Sequence, residues 1–345
     1  MDQTSDKLKN TTPIIILNWN GEKDTLACLA SFKDSENAKY LPVLVDNGSK
    51  MESLIDLKKG CNKMFNTIVY LKEDQIDSSK DLIKKTICNN PFHEILFFIE
   101  NYENYGFAKG NNIGIKIAQI IDSDWVMLLN NDTEIEKNTL AVLDDFIVKN
   151  NDIVAVTPQI RLFSPKDKIW NCGGHLTYFG SRKYLYADQN VNVVPENGFS
   201  LITFITGCAL LFQYKKTGLL TEDFFFGEED YEFSLRMKRN KLKIACVFES
   251  IIYHKVGASI KKNNNAANNI YLYYINRLIN TRNYYSKVRW EITRALAYSY
   301  LPVLLLKNKI RLDKFLILLE KIDGYVRNNK KVDSIEFNRI INNQL

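Results

Sequence analysis

The sequence predicts an α/β fold: a mainly parallel, Rossmann-like sheet flanked by helices, followed by a C-terminal helical extension. Three observations carry this. Continuous apolar runs rich in β-branched residues alternate with helical patterns through the first 158 residues, as in strands buried on both faces. Several of those runs stop abruptly in Asn or Asp. From about residue 266 onward only helical periodicity remains.

Taken in order, residues 1–12 are polar and read as a flexible tail. The expected strands are "PIIILN" (13–18), "LPVLVDN" (41–47), "NTIVYL" (66–71), "EILFFIE" (94–100), "DWVMLLN" (124–130) and "DIVAVTP" (152–158). Helices are expected at about 21–34, 51–60, 79–88, 107–122 and 136–150. The helix at 79–88 lies in an insert, residues 72–93, for which the sequence offers no function. Residues 159–200 read as an extended loop region and "FITGCALLF" (204–212) as a buried segment. A helix begins near Glu228, and separate strands are expected at 242–248 and 251–255. Four further helices are expected at roughly 266–288, 291–306, 312–328 and 333–343. A boundary falls in the polar "KKNNNAANN" (261–269), which divides the chain into 13–262 and 263–345.

Composition bounds the function. A chain of 345 residues that is 46% hydrophobic, 12% aromatic and 25% charged can bury a core, so disorder is not the reading. Six cysteines without CxxC or CxxH spacing fit buried thiols of a cytoplasmic protein rather than a disulfide framework or a zinc site. No signal peptide is read at the start, and "ALAYSYLPVLLL" (295–306) is too short to span a bilayer. The net charge of +6 is unevenly spread: residues 1–235 carry −9 and residues 236–345 carry +15. The basic rear fits an anionic membrane surface, the solvated faces of amphipathic helices, or a second subunit in a homodimer. Lys287, Arg289, Arg294, Lys307, Lys309, Arg311 and Lys314 flank the apolar stretch. The basic and aromatic "YLYYINRLINTRNYYSK" (271–287) is better explained as core than as a nucleic-acid site.

In parallel α/β sheets ligands bind beyond the carboxyl ends of the strands. Asn18-Trp19-Asn20, Asp46-Asn47-Gly48 and Asn130-Asn131-Asp132 all fall on that rim. An aspartate just past a buried strand suits Mg²⁺ or Mn²⁺, although strand-to-helix turns favour Asn and Asp for capping alone. In "FFFGEEDYEFSLRMKRN" (224–240), Glu228, Glu229, Asp230 and Glu232 crowd the first turn of a helix. A helix dipole accounts for one or two acids. Four raise one another's pKa and suit one to general-base work, with Phe224–Phe226 as a desolvating wall. His254, in "IIYHKVGAS" (251–259), is a structural histidine or a ligand at a strand end. Gly106, Gly110 and Gly114 recur in "ENYENYGFAKGNNIGIKIA" (100–118), for packing or for close approach to a ligand. No GxGxxG or GxxxxGK[ST] is present.

In order, "IIILNWNG", "VLVDNGS", "ENYGFAKGNNIGI", "LLNNDT", "ITGCALL", "FFFGEEDYEFSLRMKRN" and "YHKVGAS" resemble the motif series of inverting family 2 glycosyltransferases, in their rhamnosyltransferase-like branch. The resemblance spans roughly residues 13–260. It implies a GT-A fold, a nucleoside-diphosphate sugar donor (dTDP-L-rhamnose or a UDP-hexose), and a divalent cation, Mg²⁺ or Mn²⁺. A saccharide or lipid-linked saccharide is the implied acceptor, in surface polysaccharide synthesis at the inner membrane face. By the same resemblance Asn18 and Asn20 line the nucleotide pocket and Asp46 bonds the base. Asn104, Gly106, Lys109 and Asn112 border base, ribose or diphosphate, and Asn130 and Asn131 begin the DxD position. Asp132 and His254 hold the metal, Gly207 and Cys208 lie beside the sugar, and Arg236 belongs to the same site. Glu229 and Asp230 form the acidic pair, Asp230 being the base. The first aspartate of DxD is Asn130 here, a weaker ligand. Rival readings are a sugar nucleotidyltransferase, whose Gly-rich phosphate loop "NWNGEKD" lacks, and a non-catalytic sugar- or polyanion-binding protein.

Overall fold

The computed structural model describes residues 3–35, 39–256, 265–311 and 313–342. Through the first half, helices and strands alternate: α1 (Gln3–Asn10), β1 (Thr12–Asn18), α2 (Glu22–Lys33), β2 (Tyr40–Asp46), α3 (Met51–Met64), β3 (Thr67–Lys72), α4 (Lys80–Asn89), β4 (Ile95–Glu100), α5 (Gly106–Ile120), β5 (Val126–Asn130), β6 (Thr133–Ile135) and α6 (Thr139–Lys149). The second half runs β7 (Ile153–Leu162), β8 (Ile169–Asn171), β9 (Gly174–Leu176), β10 (Arg182–Tyr184), β11 (Phe199–Ile202), β12 (Ala209–Phe212), α7 (Tyr214–Thr217), α8 (Glu229–Arg239) and β13 (Lys243–His254). Four helices close the chain: α9 (Ala266–Tyr284), α10 (Lys287–Lys307), α11 (Lys314–Asn328) and α12 (Ser334–Asn342).

The main sheet has the order β11-β13-β7-β12-β5-β1-β2-β4-β3, with β6 added to β13 and β8 to β7. The pairs from β3 across to β5 are parallel, and β12 enters antiparallel between β5 and β7. Both faces are covered, which is why the strands read as unbroken apolar runs. Along β1, Ile15 points into one core with Val43 and Val45, while Ile14 and Ile16 point into the other with Leu44. Fully burying one such side chain contributes about 1.5–3 kcal/mol. Gly110 and Gly114 let α5 lie directly on the sheet. A Cβ at Gly110 would meet Leu17 at 2.7 Å, and one at Gly114 would meet Ile15 at 2.5 Å. Their spacing serves packing.

Register sets the strand ends in one row. Asn18 stands opposite Asp46, Asp46 opposite Glu100, and Leu17 opposite Asn130. The polar rim is therefore the common carboxyl edge of four neighbouring strands.

Four expectations are corrected. Residues 3–10 form α1 rather than a frayed tail; Leu8 is buried, and the Lys7 ammonium donates to the Cys88 carbonyl of α4 at 3.1 Å. The insert thus has a packing partner. Lys243–His254 form one strand, β13, with a register shift between Val247 and Ile251 where two strands, 242–248 and 251–255, were expected. Within 159–200, β7 continues to Leu162 and three short strands and a 3-10 turn follow. Phe224–Phe226 is not a wall behind an acid: Phe224 packs into the cluster of C-terminal helices, and Phe225 and Phe226 meet Phe337. Gly257, Ser259 and residues 261–264 of the boundary segment lie outside the described residues.

Gly106 opens α5 at φ +80°, and a Cβ there would lie 2.0 Å from the Phe225 carbonyl oxygen. A left-handed backbone and a collision with main chain coincide. Gly106→Ala is expected to lower unfolding stability by at least about 1–3 kcal/mol, read by urea denaturation.

Candidate active site

The rim is held by an asparagine network. Asn18 Nδ2 donates to Asp46 Oδ1 at 2.7 Å and to the Ser49 hydroxyl at 3.1 Å. Its Oδ1 accepts from the Thr25 hydroxyl at 2.8 Å and the Gly21 amide at 3.2 Å. Asp46 Oδ2 accepts from the Ser49 amide, and Asn20 Oδ1 from the Lys50 amide. The β1 and β2 turns are thereby locked together. Next to them Asn47 Nδ2 donates to Asn104 Oδ1 at 2.9 Å and to the Gly106 carbonyl at 3.1 Å. Asn47 Oδ1 accepts from Asn101 Nδ2 and the Tyr105 amide. Asn47 and Asn101, which the sequence reading left without a role, fix the loop leading into α5. Lys109 is exposed, its ammonium 3.8 Å from the centroid of the Tyr105 ring.

Asp132 and His254 meet because β6 pairs antiparallel with the end of β13, placing His254 opposite Thr133. His254 Nε2 is 3.2 Å from Asp132 Oδ1, and both side chains are buried. Trp170 covers the imidazole edge-to-face at 4.4 Å between centroids. Beyond that ion-pair contact and the neighbouring Cys208 sulfur, Asp132 Oδ1 and His254 Nδ1 are buried without a hydrogen bond. Buried polar atoms are nearly always fully satisfied, so these two leave room for a group that completes them. Burial opposes charge on the imidazole, but the Cys208 sulfur and the Asp132 carboxylate outweigh it and raise His254 to about 10. Asn131 Nδ2 donates to the Thr25 hydroxyl at 2.9 Å, while the Asn130 amide donates to the Cys208 carbonyl at 2.8 Å. Among the described residues no group of three His, Cys, Asp or Glu side chains converges as a closed metal cage. Two protein ligands suit a hard cation whose other ligands are diphosphate oxygens and water.

The segment before β12 links this ledge to the acidic helix. The Cys208 thiol, pushed up by burial, also feels the charges of His254, Asp132 and Asp230. A Cβ on Gly207 would sit 3.2 Å from the Phe107 ring and 3.9 Å from the Asp230 Cβ, so only a very small residue fits between α5 and α8.

The four crowded acids have separate partners. Glu228, in the left-handed region at φ 74°, is buried against two arginines. Arg182 Nη2 donates to its Oε1 at 2.7 Å, and Arg277 donates to both oxygens, with Nη2 at 3.1 Å from Oε1. Burial raises the Glu228 pKa, but Arg277 and Arg182 bring it below the usual carboxylate range. Glu232 pairs with Arg236 at 3.0 Å and accepts from the Tyr284 hydroxyl. Glu229 is buried with no cationic partner among the described residues; it accepts from the Gly227 amide at 2.8 Å and from its own backbone amide, and burial pushes it up to about 8. Asp230 is half-buried and lies 3.9 Å from Arg182 Nη1. Burial raises its pKa; Arg182 and the Gly207 amide oppose the rise and Glu228 adds to it. Of the two acids without a tight cationic partner, Asp230 is the more open to an incoming hydroxyl.

Two of the expected site residues are engaged by protein groups. Arg236 donates to Glu232 and to the carbonyls of Thr217 and Leu219, which positions the loop before α8. Asn112 is likewise occupied: Nδ2 donates to the Leu220 carbonyl and to Glu222, and Oδ1 accepts from the Leu220 amide. The sequence reading missed Arg182 and Arg277. It also missed Asn276 and Asn280 of α9, whose amides hold the carbonyls of Phe226, Gly227 and Glu228. The available signal was Asn276, Arg277 and Asn280 set within an apolar helix, where buried polar groups require partners.

No protein-family model matches the chain. The low-salt glycan biosynthesis hexosyltransferase Agl10 of Haloferax volcanii is 24% identical over 219 residues, covering 61% of this chain and 67% of that protein. S. aureus TarS 1-349 in complex with UDP-GlcNAc superposes with a TM-score of 0.54 at 13% identity, covering 96% of this chain and 81% of that one. A second structure, of TarS 1-349, gives 0.51 at 13% identity, covering 91% and 82%. The GT-A-type fold that the motif series implied is the fold observed.

A carboxyl with a raised folded pKa makes the protein more stable below its unfolded pKa, and that stability is lost as pH rises through the folded value. For Glu229 the window runs from 4.5 to about 8. Glu229→Gln keeps an acceptor for the Gly227 amide, so its melting temperature is expected to fall less steeply over this window than that of the native protein.

Proposed function

We propose that the protein is an inverting glycosyltransferase that moves a hexosyl group from a nucleoside-diphosphate sugar to a hydroxyl of a saccharide or lipid-linked saccharide. The observation that carries this reading is the buried Asp132–His254 pair on the strand-end ledge, joined through Gly207 and Cys208 to the half-buried carboxylate of Asp230. The motif order, the shared fold and the UDP-GlcNAc complex of TarS support a pyrimidine-nucleotide donor, a UDP-hexose or dTDP-L-rhamnose.

In this reading Asn18, Asn20 and Asp46 shape the floor under the base. Asp46 already accepts two hydrogen bonds, and each of its oxygens keeps a further lone pair for a donor on the base. Asn104 and Gly106 form the wall beside it. Asp132 and His254 would hold Mg²⁺ or Mn²⁺, which when bound supplies Lewis-acid stabilisation of the departing diphosphate. Asp230 accepts the proton of the acceptor hydroxyl as its oxygen attacks the anomeric carbon, and one displacement inverts that centre. Burial raises the Asp230 pKa, which strengthens it as a base, and Arg182 opposes the rise. Trp170 packs on the His254 ring and Cys208 is buried beside it, which holds the imidazole in place. A nucleotidyltransferase would need a Gly-rich phosphate loop after β1, where Asn18 is instead tied to Thr25 and Asp46.

Asp230→Asn is expected to lower kcat by about 10²–10⁴-fold while nucleotide-sugar binding by calorimetry changes little. Transfer at an unaltered rate would remove Asp230 as the base. Arg182→Gln is expected to shift the acidic limb of the kcat/KM profile to higher pH, because a cation that lowers the Asp230 pKa is gone. Arg182→Lys should restore much of the original profile.

A further inference from the structure

α10 turns toward solvent a largely apolar face five turns long. Val288, Ile292, Leu296, Tyr300, Val303 and Leu306 are all exposed, Leu306 to 60%, and their spacing of three and four residues keeps them on one side. The charged residues within this stretch are engaged by protein groups, Arg289 at the start of the face included. Arg289 donates to the Tyr178 carbonyl at 2.8 Å; Glu291 and Arg294 pair with each other, and Arg294 also reaches Asp323. The opposite side of α10, with Trp290, Leu301 and Leu305, is already buried against α9 and α11. A helix apolar on both sides has one partner here and is shaped for a second.

Cations frame the open face. Lys287 stands at its start and Lys307 and Lys309 at its end, all exposed. Beyond them, Lys314 and Lys321 line an apolar cavity of about 160 Å³ with Leu305, Ile310, Ile317 and Leu318. An apolar cavity of about 150 Å³ holds a benzene ring, so this one admits a short length of hydrocarbon. Leu316 and Ile317 continue the exposed apolar surface beside it.

The structure assigns this face to an anionic lipid surface, with α10 lying in the plane of the headgroups. Among the described residues no helix is long and apolar enough to cross a membrane, which leaves an interfacial position. The stripe from 288 to 306 extends about 27 Å at about 1.5 Å per residue, with lysines at both ends to meet lipid phosphates. Charge selects the lipid over a second copy of the chain. Two copies packed along α10, in either direction, would bring like-charged lysines face to face. A nucleic acid would match the lysines and leave the apolar stripe wet. The +15 charge of residues 236–345, against −9 for the rest, orients the same end toward an anionic plane. This assignment stands on the C-terminal helices and is independent of the transfer reaction.

Flotation of the full-length chain with vesicles of phosphatidylcholine alone, and of phosphatidylcholine with phosphatidylglycerol, tests it. Binding is expected only to the second, weakening as salt is raised. Leu296→Glu/Val303→Glu, two exposed changes that leave the buried face intact, is expected to reduce binding at least tenfold with an unchanged circular dichroism melt. Lys307→Glu/Lys309→Glu should weaken binding and flatten its salt dependence. Equal binding to neutral vesicles, or no binding to either, overturns the assignment. So does a native dimer in sedimentation velocity that Leu296→Glu/Val303→Glu converts to monomer without any vesicle binding by the native chain.

Discussion

The site depends on the register of one strand. β13 runs parallel to β7 and antiparallel to β6, and that double pairing brings His254 opposite Thr133, one residue past Asp132. Side chains alternate faces along a strand, so a slip of one residue would turn the imidazole away from the carboxylate and drive the core side of β13 toward water. The shift between Val247 and Ile251 sets this phase. Irregularity in the strand is what aligns the last residues, and the buried side chains before it, such as Cys246 and Val247, hold the alignment.

Much of this was legible in the sequence because burial on two faces leaves a simple trace. The runs at 13–18, 41–47, 94–100 and 124–130 became β1, β2, β4 and β5 with small changes at their ends. The polar residues that stopped them became the rim. The crowding of Glu228, Glu229, Asp230 and Glu232 was visible, as was its tendency to raise a pKa. Which acid would feel that tendency was not. It depends on Arg182, 46 residues before Glu228, and on Arg277, 49 residues after it, and no local periodicity encodes those distances. The partners of Arg236 were only half legible: Glu232 lies one turn away on the same helix, but the two carbonyls of the preceding loop are encoded by no local pattern.

Separation of roles follows from that partnering. Glu228 is ionised and fixed, Glu232 is tied to Arg236 and Tyr284, and Glu229 is sealed with backbone amides alone. Asp230 alone keeps an open side and a nearby cation. Four similar residues in one turn thus become an anchor, a brace, a buried acid and an accessible carboxylate. The apolar backing expected from Phe224–Phe226 is used elsewhere, fastening the start of α8 to the C-terminal helices through Phe337.

Asn276, Arg277, Asn280 and Tyr284 put successive rungs of α9 against residues 226–232. A buried carboxylate shared by two elements from distant parts of the chain welds them into one cooperative body, since freeing either leaves a charge stranded in a dry interior. The tail helices are therefore no detachable module. Recombining such chains at the polar stretch after β13 would exchange half of a lock without its key, and partners for a chimera have to be chosen by the match at 228 and 277 rather than by the position of the seam.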